Sequence, residues 1–364
     1  MPSSGRPCAE CWFLDVGQGT SNIILLGAGR AIVIDCGPKA TAVPLLLLKR
    51  YVHTIEALVI SHNDGDHDGG VARILDAYPR AIKRIFFLVE RPAIYIRTHA
   101  LVMREKAAKQ LLADPVRLEA SSQPQSLYRD PESEVDLRLF YPTLGEALEA
   151  EAAGARRPNA SSAVLVLFCG NKSIVFTGDA TMEAWEAIAQ RLPEALPLPC
   201  DIMTVPHHGG HITPRLADET DESRDSREQA AAQTLYGKII RPHLAIVSVG
   251  SSNKFRNTIH PIPATIAAIR NTGAQVLCTQ MTPHCSDDLE LVRPGTLSPA
   301  YPSRSSDQVR KTASDRSKDV ACGGSIVAEI SPSHVSVARW HEHSQILDER
   351  SAAGVIHPIC QVKK

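Results

Sequence analysis

No stretch of this 364-residue chain stays apolar long enough to cross a bilayer; the longest run, Ala42 to Leu48, is short and contains Pro44. The opening residues, MPSSGRPCAECWFLD, lack the apolar core and cleavage pattern of a secretory signal, so export by that route and a membrane partner are not expected. Net charge is nearly absent too. Lys and Arg total 39 against 40 Asp and Glu, a formal charge of -1, so no overall basic field attracts nucleic acid and any such attraction must be local. The nine cysteines are an odd number, which excludes a complete disulfide framework and makes a reducing cytoplasm the expected location. Internal repeats are missing as well. What remains is an ordinary globular balance, 43% hydrophobic and 22% charged, which excludes global disorder and is ample for a buried core.

The first half reads as short apolar strands ended by Gly or Asp: CWFLDV, SNIILL and AIVIDCG. A helix is expected over 43–53, and the short buried strand Glu56 to Ile60 runs straight into Ser61. Between Arg80 and Lys109 the basic residues at 80, 83, 84, 91, 97, 104, 106 and 109 outnumber the acids at 90 and 105 by six. A solvated helix face is the ordinary explanation of such a run. A second series of strands follows (VDLRLFYP, SSAVLVLFCG, NKSIVFTGD), the last leading to a helix, MEAWEAIAQRL, for which Thr181 is the expected cap. Then come DIMTVPHHGG, LAIVSVG and a helix PATIAAIRNTG stopped by Gly273. The whole chain, 1–364, reads as one domain with mobile insertions at 217–228 and 297–319 and a closing hairpin at 323–340.

The strongest chemical signal is His62-Asn63-Asp64-Gly65-Asp66-His67-Asp68-Gly69-Gly70, directly after an apolar strand. His62, Asp64, Asp66 and His67 are imidazole and carboxylate donors suited to zinc, manganese or iron, and a glycine-bearing loop lets them converge. Two histidines argue against an all-oxygen calcium site. Asp179 ends the strand FTGD. An aspartate there is commonly a helix cap or turn residue, yet its two oxygens can bridge two cations. His207-His208-Gly209-Gly210 adds imidazoles at another strand end. Of the cysteines, Cys8 and Cys11 form a lone CxxC, and Cys278, His284, Cys285 and Cys322 would add ligands only if the termini meet. Buried or surface thiols are the plainer reading.

The order of these motifs resembles the metallo-β-lactamase fold superfamily, and within it the soluble hydrolase domain of ComEC-like DNA-internalisation competence proteins. The resemblance runs through FLDVGQGT (13–20), VIDCG (33–37), SHNDGDHDGG (61–70), PNASSAVLVL (158–167), FTGD (176–179), PHHGG (206–210) and SVGSSNKFRNTIHP (248–261). It implies an α/β protein, a four-layer αβ/βα sandwich with two divalent ions, zinc or manganese, at one edge. Carried over by position, His62 and Asp64 hold one ion, Asp66, His67 and His207 the other, and Asp179 bridges, with Asp35 in support. Asp64 stands where many relatives have His, and Asn159 and Ser162 where they have a further ligand histidine; fewer nitrogens favour manganese or weakly held zinc.

Such ions lower the pKa of a water towards about 7. Asp66 is then expected to orient that nucleophile, His208 or His260 to protonate the leaving oxygen, and Ser248, Gly250, Ser251 and Asn253 to form a polar loop whose amides cradle phosphate. His260 also has a structural reading, in the turn before Pro261. The expected function is a phosphodiesterase or nuclease acting on DNA, the basic segment 80–109 following the backbone. The alternatives are hydrolysis of a small ester, thioester, lactam or nucleotide, or a metal-binding regulatory subunit with protein partners in a multi-component assembly, as in antiviral defence.

Overall fold

The computed structural model describes residues 7–88, 101–109, 115–130, 132–153, 159–198, 200–251, 259–289, 292, 300–306 and 319–361. Its strands are β1 (Ala9–Phe13), β2 (Asn22–Gly27), β3 (Arg30–Ile34), β4 (Thr54–Val59), β5 (Ile85–Phe87), β6 (Pro115–Arg117), β7 (Gln125–Asp130) and β8 (Val135–Tyr141). They continue with β9 (Val164–Cys169), β10 (Lys172–Phe176), β11 (Ile202–Thr204), β12 (Leu244–Val247), β13 (Gln275–Cys278), β14 (Ile326–Ile330) and β15 (Val335–Val337). They form two sheets, ordered β15-β14-β1-β2-β3-β4-β5-β6 and β13-β12-β11-β10-β9-β8-β7.

The near-continuous apolar strands are explained by burial on both faces. Phe13, Ile32, Ile34 and Val59 of the first sheet meet Leu137, Leu165, Ile174 and Phe176 of the second in one cluster between the sheets. Outside the first sheet, Val43, Leu47 and Leu48 of the helix Val43–Tyr51 pack with Val71 and Ile74 of the helix Val71–Ala77. Outside the second, Trp185, Tyr236 and Ile266 cover the opposite face. Helix, sheet, sheet, helix is the four-layer αβ/βα sandwich that the family resemblance implied.

The hairpin of β14 and β15 joins the first sheet through antiparallel pairing of β14 with β1. The sequence had not disclosed the helix Trp340–Ala352 that follows it. Thr181 occupies the cap position of the helix Met182–Arg191, but its side chain makes no capping hydrogen bond.

The acidic stretch 217–228, expected to be a mobile loop, instead runs into the helix Asp221–Thr234. Thr220 caps that helix by accepting from Ser223 N, and Asp221 and Glu222 sit in its first turn, where the helix dipole favours acids. Glu228 is fully buried and accepts from the backbone N–H groups of Ile212 and Thr213, so part of the acidity binds the loop after the HHGG motif.

Of the other expected insertion, 297–319, residues 297–299 and 307–318 lie outside the described residues. The described part is held against the first sheet: Arg304 N donates to Asp15 O at 2.8 Å and Ser305 N to Asp15 Oδ2 at 3.0 Å. The basic segment is also partly outside, over 89–100. Lys83 pairs with Glu56, Arg84 donates to Leu127 O and Arg104 pairs with Glu105, so these three cations are engaged within the chain. No helix among the described residues is long and apolar enough to cross a membrane.

Phe176 stacks on Phe13 at 6.0 Å between the sheets, three residues before Asp179. Phe176→Ala is expected to cost about 3–5 kcal/mol of stability, read from denaturant unfolding.

Candidate metal centre

β3 and β4 run parallel, as do β10, β11 and β12. Parallel strands bring their carboxyl ends to one edge, and the loops leaving those ends carry the chemistry. Asp35 follows β3, His62 and Asp64 follow β4, Asp179 follows β10, His207 and His208 follow β11, and Ser248 follows β12. The helix Gly65–Asp68 turns Asp66 and His67 back towards the same edge. Cys36 N donates to His67 O and Thr20 N to Asp66 O, which fixes that turn to the first sheet.

Asp179 lies at the centre. Its Oδ1 is 3.1 Å from His67 Nε2 and 3.7 Å from His208 Nε2; its Oδ2 is 3.6 Å from His62 Nε2 and 3.9 Å from His207 Nε2. Asp66 Oδ2 is 3.2 Å from His208 Nε2, and Asp64 Oδ2 is 3.9 Å from His62 Nε2. The donors therefore divide: His67, His208 and Asp66 on the Oδ1 side, His62, His207 and Asp64 on the Oδ2 side. The sequence put His207 with Asp66 and His67. The structure gives that place to His208, which is buried, and turns the more exposed His207 to the other oxygen.

Each imidazole is held by its other nitrogen. His67 Nδ1 donates to Asp35 Oδ2 at 2.8 Å, His208 Nδ1 to Ser248 O at 2.9 Å and His207 Nδ1 to His211 O at 2.7 Å. These partners are acceptors only, so Nδ1 carries a proton in each, and Nε2 turns inward to the carboxylates, where a cation would take the place of its proton. His62 Nδ1 meets Ser61 Oγ and Ser162 Oγ; the Ser61 hydroxyl gives its proton to Asp35 and is an acceptor towards His62. Ser162 Oγ accepts from Asp179 N at 2.8 Å, and Asn159 Nδ2 donates to Asp179 Oδ2 at 3.5 Å. Asp35 thus hydrogen-bonds to His67, and Asn159 and Ser162 to Asp179. Gly178, at φ +48°, leaves room for this: a Cβ there would stand 2.6 Å from Ser162 Oγ. Asp35, Asn159, His207 and His208 all adopt positive φ, a strain that non-glycine residues keep where a site requires it.

A divalent cation fits this set. His62 Nε2, His67 Nε2 and Asp179 Oδ1 are buried without hydrogen-bond geometry to any partner. His62, His67 and Asp179 offer ligand atoms within 4.8 Å of one another, as do Asp66, His67 and His208. Two ligands about 2.1 Å from a shared tetrahedral ion stand about 3.4 Å apart, close to the separations here. The charges agree. Burial opposes ionisation of Asp179, yet His67, His208, His62 and His207 hold its carboxyl well below the usual range. Against the same opposition from burial, Asp179 and Asp35 raise His67, and Asp179 and Asp66 raise His208.

Two expected roles find less support. His260 packs its ring 5.6 Å from that of His207, and burial, with His207 and His208 nearby, pushes it down to about 3. It is a neutral imidazole near pH 7, not a ready proton donor. The amides of Gly250 and Ser251, expected to cradle phosphate, donate to Gln18 Oε1 and Gln280 Oε1. Ser248 instead positions His208 through its carbonyl. Asn253 lies outside the described residues. The role of His211 as acceptor for His207 was missed by sequence reading; only its closeness to HHGG hinted at it.

Two packed sheets with such a donor set at their shared edge define the class, a metal-dependent hydrolase. The chain belongs to the metallo-β-lactamase superfamily, whose family model matches residues 15–223. It is 25% identical over 257 residues to Recombination protein 2 of Haemophilus influenzae, covering 69% of this chain and 25% of that protein, so it spans about a quarter of that relative's length. Among solved structures, Igni18, a metallo hydrolase from Ignicoccus hospitalis, aligns over 76% of this chain and 95% of its own at 18% identity and TM-score 0.42. The short form of human tRNase Z aligns over 66% and 92% at 14% identity and TM-score 0.40.

Asp35→Asn removes the charge and one acceptor oxygen behind His67. Metal affinity is expected to fall about 10–100-fold by calorimetric titration, with the fold retained by circular dichroism.

Proposed function

We propose that the protein is a phosphodiesterase that cleaves DNA with two divalent ions, zinc or manganese, held around Asp179. The observation that carries this reading is the division of donors between the two Asp179 oxygens: Asp66, His67 and His208 towards Oδ1, His62, Asp64 and His207 towards Oδ2. Bound there, the ions would supply a water of lowered pKa and neutralise charge on the attacked phosphate. Asp66, half-buried at the rim, would orient that water. Asp35 and the Ser248 carbonyl hold His67 and His208 by Nδ1 and so point Nε2 at the place where an ion would sit. His260, neutral, packs its ring edge-to-face against that of His207.

DNA as substrate is supported by the likeness to a protein named for recombination. The basic segment adds little, because Lys83, Arg84 and Arg104 already have partners. A reducing cytoplasm belongs to the same reading, supported by nine cysteines that stand as free thiols.

The test is turnover of short single- and double-stranded DNA, beside a thioester and a lactam, with manganese or zinc supplied and then removed by a chelator. DNA cleavage that disappears on chelation is expected, and Asp66→Ala is expected to reduce it at least about 100-fold while leaving the circular dichroism spectrum unchanged. Turnover of the thioester or lactam with none of DNA would remove the nucleic-acid assignment. Undiminished cleavage by Asp66→Ala would remove the assigned chemistry.

A further inference from the structure

The cysteines divide into two groups. Cys8 and Cys11 lie on or beside β1, where Cys8 meets Cys169 of β9. Neither approaches the C-terminal cysteines, and His284 points its Nε2 to Ile259 O instead. The second group is assembled from four separate segments. Cys278 ends β13, and Cys322 lies on the returning chain, fixed by Cys322 N donating to Thr279 O and Gly323 N to Cys278 O. His343 is on the helix Trp340–Ala352, and Cys360 lies in the tail beyond, which Arg270 ties down at Ile359 O.

The Cys360 thiol hydrogen-bonds with both Cys278 and Cys322, and Cys322 Sγ is 3.8 Å from His343 Nε2. All three thiols are buried. A sulfur and an imidazole nitrogen on one tetrahedral zinc stand about 3.6 Å apart, and two sulfurs about 3.8 Å, given bonds of about 2.3 and 2.1 Å.

We infer that Cys278, Cys322, Cys360 and His343 form a second metal site that takes a thiophilic divalent cation, zinc foremost, and clasps the C-terminal helix and tail to the edge strand β13. The ligand set, three sulfurs and one nitrogen, is that of a closed structural site, chemically unlike the oxygen- and nitrogen-rich centre around Asp179. Two triads around Asp179 offer ligand atoms within 4.8 Å of one another, whereas no three of these four do, and side-chain rotation must close the set. Access exists: a surface groove is lined by Trp340, His343, Leu347, Cys360 and Gln361.

The test uses the full chain, equilibrated with zinc under reducing conditions, desalted and then treated with p-hydroxymercuribenzoate while a colorimetric chelator reads released zinc. Release of about one equivalent as thiols are blocked is expected, because no donor around Asp179 is a sulfur. No release would overturn the site. Elemental analysis of a Cys322→Ser, Cys360→Ser double variant is expected to find about one zinc fewer than in the unsubstituted chain; equal content would overturn it. Cobalt in the unsubstituted chain should give a sulfur-to-metal charge-transfer band, and its absence would count against the site even if the variant fails to fold.

Discussion

Asp179 is a carboxylate with 4% of its surface exposed, and removing such an ion from water costs several kcal/mol even after the surroundings relax. The fold keeps it by arranging four imidazoles around its two oxygens and a serine hydroxyl at its own amide. Those imidazoles also have to be held, and the ring of acceptors behind them follows: Asp35, Ser61, Ser162, and the carbonyls of Ser248 and His211. The arrangement attracts cations because its outer ring satisfies every Nδ1 and leaves the inner Nε2 atoms facing the carboxylate.

That demand shapes the layers around it. Two sheets packed face to face provide a dry edge, and parallel pairing within each sheet brings several strand ends to that edge. The site concentrates backbone strain: four of the ten non-glycine residues with positive φ among those described are Asp35, Asn159, His207 and His208. The acidic helix that begins at Asp221 belongs to the same economy, since Glu228 fastens the loop after His211 from below. The C-terminal clasp inferred at Cys278, Cys322, Cys360 and His343 acts elsewhere, on an edge strand of the second sheet. Two kinds of donor serve two purposes, oxygen and nitrogen where chemistry is needed and sulfur where segments are to be joined.

Much of the architecture was legible in the chain. Apolar runs with glycine and aspartate punctuation located the strands, and the cluster from His62 to Gly70 announced a metal centre. What misled was composition read without capping: the stretch 217–228 is polar enough for a loop, but Thr220 and the acids behind it start a helix whose inward face carries Glu228. The helix Trp340–Ala352 went unread because its apolar face is weak, with Leu347 its one buried residue.

The sequence by itself determined which donors are available and roughly where, because spacing within a loop and position after an apolar strand are local properties. Only the tertiary structure decided how they are shared. His207 and His208 are adjacent and chemically identical, and nothing local says which one faces Asp66; that depends on two consecutive left-handed residues and on carbonyls from β12 and from His211. In the same way, Cys360 and His343 join Cys278 and Cys322 only because the chain, after leaving the first sheet, folds back over the edge of the second, a contact between segments too distant for any local pattern to encode.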